Sequence, residues 1–286
     1  MSDNASISVV VPTRDRPHQL AACLAALAAQ TLQPTEIIVV DDASRDSAAI
    51  DAIVGRVHGA RIVRGRGAGP AAARNLGVGE ARGDVLCLTD DDCRPHPAWT
   101  AALVETITAG ATVVAGATEA SPPSAIATRA SQIITNQLVA ASMGASTATV
   151  TFAPTCNLAF TAATAARFPF DESFPLAAGE DREWCDRVSD ADIAIAYAPR
   201  AIVAHRPELT MRSFWRQQVR YGRGAAHWRR QRAHDPNWQP AGFYTDLVRA
   251  GFAGGVRCGL LVLAAQAATA YGLARETVAA RQHRLG

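Results

Sequence analysis

The sequence predicts an α/β fold: a mostly parallel sheet flanked by helices, followed by a C-terminal helical extension. Three observations predict it. Apolar, β-branched runs alternate four times with segments of helical period over residues 7–115. The runs are apolar on both faces, as strands covered by helices above and below must be. They also end in polar or acidic residues, and in open parallel sheets ligands bind beyond the carboxyl ends of the strands.

Residues 7–11 (ISVVV) form the first run, closed by Pro12. Asp15-Arg16-Pro17 opens a helix, with proline at a first-turn position and Leu20, Cys23, Leu24 and Leu27 at helical spacing. Pro34 breaks the connection before the second strand, residues 37–40, which ends in Asp41-Asp42. A helix over 47–57 and a short strand over 61–63 follow. The loop 65–70 carries three glycines and Pro70; an alanine-rich helix then runs over 71–81 and is closed by Gly83. The fourth strand, 85–88, ends in Asp90-Asp91-Asp92, and a helix over 97–108 leads to a further apolar run at 111–115.

After Gly116 the pattern loosens. Helices are predicted near 125–142 and over 181–188, a loop with a short strand over 152–160, and short strands at 193–197 and 201–203. A basic amphipathic helix covers 210–231, carrying Phe214, Trp215, Val219, Tyr221 and Trp228. Residues 236–240 interrupt, and 247–273 are largely apolar. Residues 258–274 carry no formal charge, at the short limit for crossing a bilayer. Their alanine and glycine content, with Gln266 and Thr269, predicts instead a helix docked on the protein or on a membrane surface.

At 286 residues, 49% apolar and 19% charged, the chain can bury a sizeable core as one large α/β domain or two small ones. It contains no lysine, so its 28 basic residues are all arginine. That excludes Walker-type phosphate loops, Schiff-base chemistry and pyridoxal phosphate enzymes. The net charge of +2 is unevenly spread: residues 200–286 hold 14 arginines against Glu208, Asp235, Asp246 and Glu276. Such a basic tail suits phosphates, an anionic membrane surface, nucleic acid, or simply a solvated helix face. Cys23, Cys87, Cys93, Cys156, Cys185 and Cys258 form no CxxC pair, the pattern of buried free thiols in a reducing cytosol. Residues 1–6 are polar and lack the basic-then-apolar order of a signal peptide.

Asp90, Asp91 and Asp92 need a physical reason, because adjacent acids at a strand end repel one another. A solvated acidic turn is one reason. A divalent cation is the other, since magnesium and manganese prefer carboxylate oxygen. The acids by themselves leave both open.

Five stretches add to them: ISVVVPTRDR (7–16), IIVVDDAS (37–44), GPAAARNLGV (69–78), RGDVLCLTDDDC (82–93) and GEDREWCDRV (179–188). In order and spacing they resemble the family 2 glycosyltransferases, over residues 5–232. The resemblance implies the GT-A fold, a Rossmann-like nucleotide-sugar-binding architecture. Residues 1–232 would be its glycosyltransferase domain, with 1–117 the nucleotide-binding half and 118–232 the acceptor-binding half, and 233–286 the helical extension. It implies inverting transfer of one sugar from an NDP-sugar, UDP- or dTDP-linked, to an acceptor hydroxyl, with Mn2+ or Mg2+ as cofactor. A metal held by aspartates neutralises the charge that grows on the diphosphate leaving group. Inversion needs a carboxylate on the opposite side to take the acceptor proton.

On this resemblance Pro12, Thr13 and Arg14 line the nucleotide pocket, Asp42 accepts from the base, weighed against a helix cap, and Arg74 reaches the diphosphate, weighed against a surface ion pair. Asp90 and Asp91 are the ribose-side acids and Asp92 a metal ligand; three adjacent acids leave the register open by one, so Asp90 is a second metal candidate. Thr89 stands where many relatives carry the first aspartate of the motif, and Arg14 where they often carry an aromatic residue. His205 is a further metal candidate, weighed against a structural histidine. Asp181 is the general base on this resemblance, weighed against an ordinary acid at a helix N-terminus. Glu180, Trp184 and Asn157 are acceptor-pocket residues, and Thr155 shares the loop of Asn157. Relatives often carry Gly-Gly before the segment that here reads RFPFDE (167–172), which implies a different acceptor wall. Residues 215–222 (WRQQVRYG) faintly resemble the Gln-x-x-Arg-Trp signature of processive relatives but lack its tryptophan, which argues against polymerisation.

Two readings from other classes stand beside this one: a non-catalytic nucleotide-sugar-binding module, and a sugar nucleotidyltransferase, whose usual catalytic lysine is missing. The expected partners are the donor and a hydroxyl acceptor of unknown identity, without nucleic acid. The expected location is the cytoplasm, with peripheral association at the inner face of the membrane as the option that the basic tail favours.

Overall fold

The structure is a computed structural model that describes residues 5–120, 125–144, 148–174, 178–232 and 239–285. The first part of the chain runs β1 (Ile7–Thr13), α1 (Pro17–Ala28), β2 (Glu36–Asp41), α2 (Ser47–Val54), β3 (Ala60–Arg64), α3 (Pro70–Gly79), β4 (Val85–Leu88), β5 (Cys93–Pro95) and α4 (Trp99–Thr108). The rest runs β6 (Val113–Ala120), α5 (Ile126–Ala141), β7 (Thr149–Val150), β8 (Leu158–Thr161), α6 (Ala162–Arg167), α7 (Glu180–Asp190), β9 (Ile195–His205), α8 (Met211–Gln231), α9 (Ala241–Ala253) and α10 (Val256–Leu285). All the strands join one sheet in the order β3-β2-β1-β4-β8-β6-β9-β5, with β7 paired to β9 off that path.

The first four strands are parallel, with β1 pairing β2 on one side and β4 on the other. Beyond β4 the sheet becomes mixed, because β8 runs antiparallel between β4 and β6 while β6 and β9 pair in parallel. Val9, Val11, Ile37, Val39 and Cys87 pack under α1, α2 and α4 on one face. Val10, Ile38, Val40, Leu86 and Leu88 join a second core with Trp184, Cys185 and Val188 of α7 on the other. Removing each such side chain from water stabilises the fold by about 1.5–3 kcal/mol, which is why these strands read as unbroken apolar runs.

Several elements differ from the sequence reading. The two short strands at 193–197 and 201–203 are one strand, β9, which bulges at Pro199: Gly116 pairs with Ala198 but Ala117 with Ile202. The three-residue β5 is unexpected, and it pairs Cys93 with His205 across β9. The apolar stretch 247–273 is two helices separated at Gly254-Gly255, where Gly255 takes φ 105°. Of the interruption at 236–240, residues 236–238 lie outside the described residues.

The C-terminal helices do not form a separate body. Phe214 of α8, Phe243 and Leu247 of α9, and Cys258, Val262 and Ala265 of α10 share a third core with Ala127, Ala130 and Ile134 of α5. Helices α8 and α10 touch backbone to backbone: a Cβ on Gly222 would lie 1.9 Å from Thr269 O, and one on Gly272 would lie 2.1 Å from Val219 O. Residues Val256–Ala280 are long and apolar enough to cross a membrane, with mean hydropathy 1.4, but this helix also walls the cavity described next.

Candidate active site

Because β2, β1 and β4 are neighbours, their carboxyl ends stand side by side and open into a cavity of about 1120 Å³. Pro12, Thr13 and Arg14 line it from β1, Asp42 from the end of β2, Arg74 from α3, and Asp90, Asp91 and Asp92 from the turn after β4. Glu180 and Asp181 enter from the start of α7 and His205 from the end of β9. Strands and helix ends thus bring most of the expected site residues to one space.

The acids are tied individually. Thr13 Oγ1 donates to Asp91 Oδ2 at 2.8 Å, and Arg16 Nη1 donates to Asp91 Oδ1 and Asp92 Oδ2, each at 3.1 Å. Burial raises the Asp91 carboxyl to about 6, with Arg16 opposing the rise and Asp92 adding to it. Asp42 accepts three backbone amides, from Gly67 at 2.8 Å, Ala68 at 3.2 Å and Gly69 at 2.9 Å. Both its oxygens therefore fix the glycine-rich loop, while Asp42 also lines the cavity. Arg14 is exposed and lies 3.5 Å from Gly67 O.

Pairing of β5 with β9 sets His205 beside the aspartate turn. Asp92, Cys93 and His205 each bring one ligand atom, all within 4.8 Å of one another. His205 Nε2 lies 3.5 Å from Asp92 Oδ1, and Nδ1 donates to Gln132 Oε1 at 2.9 Å. Gln132 Nε2 donates to Thr118 and Asn136, which orients its amide with the oxygen toward the imidazole. Burial disfavours charge on both, yet their hydrogen bond and mutual attraction lower the Asp92 pKa and raise that of His205. The Cys93 thiol is raised strongly by burial and stays protonated.

Arg74 joins the two halves of the site. Its Nη2 donates to Asp90 Oδ1 at 2.9 Å and its Nη1 to Glu180 Oε1 at 3.2 Å. Burial disfavours its charge, but Asp90 and Glu180 outweigh burial and raise its pKa. Arg74 Nε, Glu180 Oε2 and Thr89 Oγ1 are buried with no hydrogen-bond partner among the described residues. The first two belong to residues that line the cavity, where an incoming polar ligand would satisfy them. Asp181 follows Gly179, whose φ of 95° turns the chain into α7. Burial, reinforced by the neighbouring Glu180, raises the Asp181 carboxyl to about 7.

Two expected acceptor residues are not on the cavity. Trp184 is fully buried, its Nε1 donates to Phe168 O at 2.7 Å, and its ring packs against Phe160 and Phe170. Asn157 is also fully buried: its Oδ1 accepts from Trp99 Nε1 at 2.8 Å and its Nδ2 donates to Ala117 O and Ala201 O. Both hold the core together, whereas Thr155 does line the cavity. Arg16 is a site residue for which the sequence offers only a weak signal, one of two arginines just past the end of β1 on the same edge as three acids.

The family model described as Glycosyl transferase family 2 matches residues 8–161. Glycosyltransferase AglE of Haloferax volcanii is 28% identical over 236 residues, covering 76% of this chain and 72% of that protein. Uncharacterized glycosyltransferase YwdF of Bacillus subtilis is 41% identical over 86 residues, 30% of this chain and 32% of that protein, so the match spans about a third of its length. Among solved structures, the mannosyltransferase PcManGT from Pyrobaculum calidifontis, in complex with GDP-Man and Mn2+, superposes with a TM-score of 0.62 at 17% identity. That superposition covers 99% of this chain and 81% of the other, and it shows a shared fold.

Proposed function

The chain belongs to glycosyl transferase family 2 and is a glycosyltransferase of GT-A fold, and from that premise we propose that it moves one sugar from a UDP- or dTDP-linked donor to an acceptor hydroxyl with inversion, Asp181 taking the acceptor proton. One observation carries this reading. Asp181, raised to about 7, and the aspartate turn Asp90 to Asp92 border the same cavity. A base with a pKa near neutrality is deprotonated in useful amount and still strong enough to accept a proton.

The chemistry then divides among named groups. A carboxylate oxygen of Asp181 accepts the hydrogen bond of the acceptor hydroxyl and takes its proton as the new C–O bond forms at the anomeric carbon. The bond to the diphosphate breaks on the opposite side, toward the aspartate turn. Arg74, kept charged by Asp90 and Glu180, is a fixed cation between the two events. Glu180 Oε2, buried without a partner among the described residues, is an acceptor for a donor or acceptor hydroxyl.

The family implies Mn2+ or Mg2+, and the donor set fits. Asp92 offers carboxylate oxygen and His205 a ring nitrogen whose tautomer is fixed by Gln132, a combination that suits manganese. Bound there, the ion would neutralise charge on the leaving diphosphate. PcManGT, of similar fold, is described with GDP-Man and Mn2+, which supports the reading. We place the reaction in the cytoplasm, with the basic C-terminal region at the inner face of the membrane.

A thermal-shift screen of UDP-, dTDP- and GDP-sugars with manganese tests the donor, because selective binding stabilises the fold. Asp181→Asn should then abolish turnover while nucleotide binding persists. Full activity in that variant would remove Asp181 as the base. An unaltered chain that binds nucleotide-sugars yet neither transfers nor hydrolyses them would be a binding module instead.

A further inference from the structure

We propose that the acceptor carries a phosphate group and that a row of arginines on α8 receives it; this rests on the glycosyltransferase reading and extends it to the acceptor class. Arg216, Arg220 and Arg223 recur at intervals of four and three residues, so they share one face of α8, and all three line the cavity. Arg182 of α7 and Arg275 of α10 line it as well, so three helices bring positive charge into one space.

This wall stands on the Asp181 side. Helix α8 meets the start of α7 through Gly224, where an added Cβ would lie 2.1 Å from Ala178 O, two residues before Glu180. Tyr221, next to Arg220, is within electrostatic reach of both Asp181 and Glu180. The donor diphosphate has other cations nearer the aspartate turn, Arg16 and Arg74.

Against these five arginines the acids are Glu180, Asp181, Glu208 and Glu276, one fewer, which leaves the wall positive. Glu276 pairs with Arg223 at 2.8 Å, and Glu180 is held by Arg74. Arg182 rests on the rings of Phe152 and Trp228, at 5.3 Å and 5.0 Å, contacts that keep its charge in place without cancelling it. Arg220 Nε is buried with no partner among the described residues. Guanidinium groups recognise phosphate through paired, charge-assisted hydrogen bonds, so a phosphate set beside the acceptor hydroxyl would give Arg220 the partner it lacks, with Arg216 one turn away on the same face.

Calorimetric titration decides it, run both with saturating UDP and Mn2+, so that the donor site is filled, and without them. The probes are geranyl phosphate against geraniol, and glucose 1-phosphate against glucose. At least one phosphate ester is expected to bind about tenfold or more tightly than its alcohol. Arg220→Gln and Arg216→Gln should each erase most of that margin, Arg220→Lys should keep part of it, and Arg212→Gln, at an exposed position outside the cavity, should keep all of it. Arg216 is exposed, so its variant keeps the test usable if Arg220→Gln fails to fold. Binding of geranyl phosphate alone assigns a lipid-linked acceptor, of glucose 1-phosphate alone a soluble one, and of both an acceptor read by its phosphate. Equal affinity for ester and alcohol, no binding of either ester, or ester binding indifferent to Arg216 and Arg220 overturns the inference. A chain that binds UDP but no ester keeps the glycosyltransferase reading and loses this one; ester binding by a chain that binds none of UDP, dTDP and GDP removes the nucleotide-sugar reading and, with it, the acceptor role assigned to these arginines.

Discussion

Arg16 Nη1 stands 3.1 Å from Asp91 Oδ1, and the same nitrogen is 3.1 Å from Asp92 Oδ2, so a side-chain cation occupies the gap between two buried carboxylates. Removing it leaves those charges facing each other. Arg16→Gln should lower stability without metal by about 1–2 kcal/mol, a modest figure because the arginine is half exposed. Manganese should bind the variant several-fold more tightly, because its competitor is gone. Thermal denaturation in EDTA and across a manganese titration measures both effects; an unchanged manganese response would mean that Arg16 does not compete.

Asp92 and Asp90 should separate cleanly in metal binding. Asp92 faces His205, whereas Asp90 is held by Arg74. Asp92→Asn is expected to weaken manganese binding by about 10–100-fold and His205→Ala by a similar factor, with Asp90→Asn much milder. Electron paramagnetic resonance of free Mn2+ reads this directly. A reversed order for the two aspartates would move the metal to Asp90.

The raised pKa of Asp181 sets a pH dependence with a definite sign. The transfer rate should climb as pH rises through about 7 and level off above it, as the carboxyl becomes the base. Stability runs the other way. The protonated form suits the folded site, so its contribution is complete below pH 4 and is lost as pH rises through 7. Asp181→Asn, which cannot ionise, should therefore be more stable than the parent at pH 8 by about 1–3 kcal/mol and no more stable at pH 4. Chemical denaturation at the two pH values checks it.

The contact between Gly222 and α10 leaves no room for a methyl group. Gly222→Ala should cost about 2–3 kcal/mol of stability and loosen α10 first. Hydrogen exchange along α10, compared with β1, would show whether the loss is local. Equal acceleration in both elements would mean that the helix and the sheet open as one unit.

What was legible in the sequence follows from burial. Strands β1, β2 and β4 are covered on both faces, so they appear as apolar runs that stop where charge begins. The polar residues just past them line the cavity. β9 is harder to see, because Pro199 resembles a break and only the pairing with β6 shows a bulge. Arg16 and Asp91 lie 75 residues apart, and no local pattern connects them. Trp184 carries a visible signal of the opposite kind: with Cys185 and Val188 it marks the buried face of α7, a spacing that outweighs its closeness to Asp181.

The grip of Asp42 on the loop 67–69 has a kinetic side. A glycine-rich loop left free would sample many backbone states, and a donor would have to wait for the receptive one. Three amides held by one carboxylate remove that wait, since the conformational entropy of the loop is already surrendered when the chain folds. That wall of the cavity is thus a standing surface, its shape set before any ligand arrives.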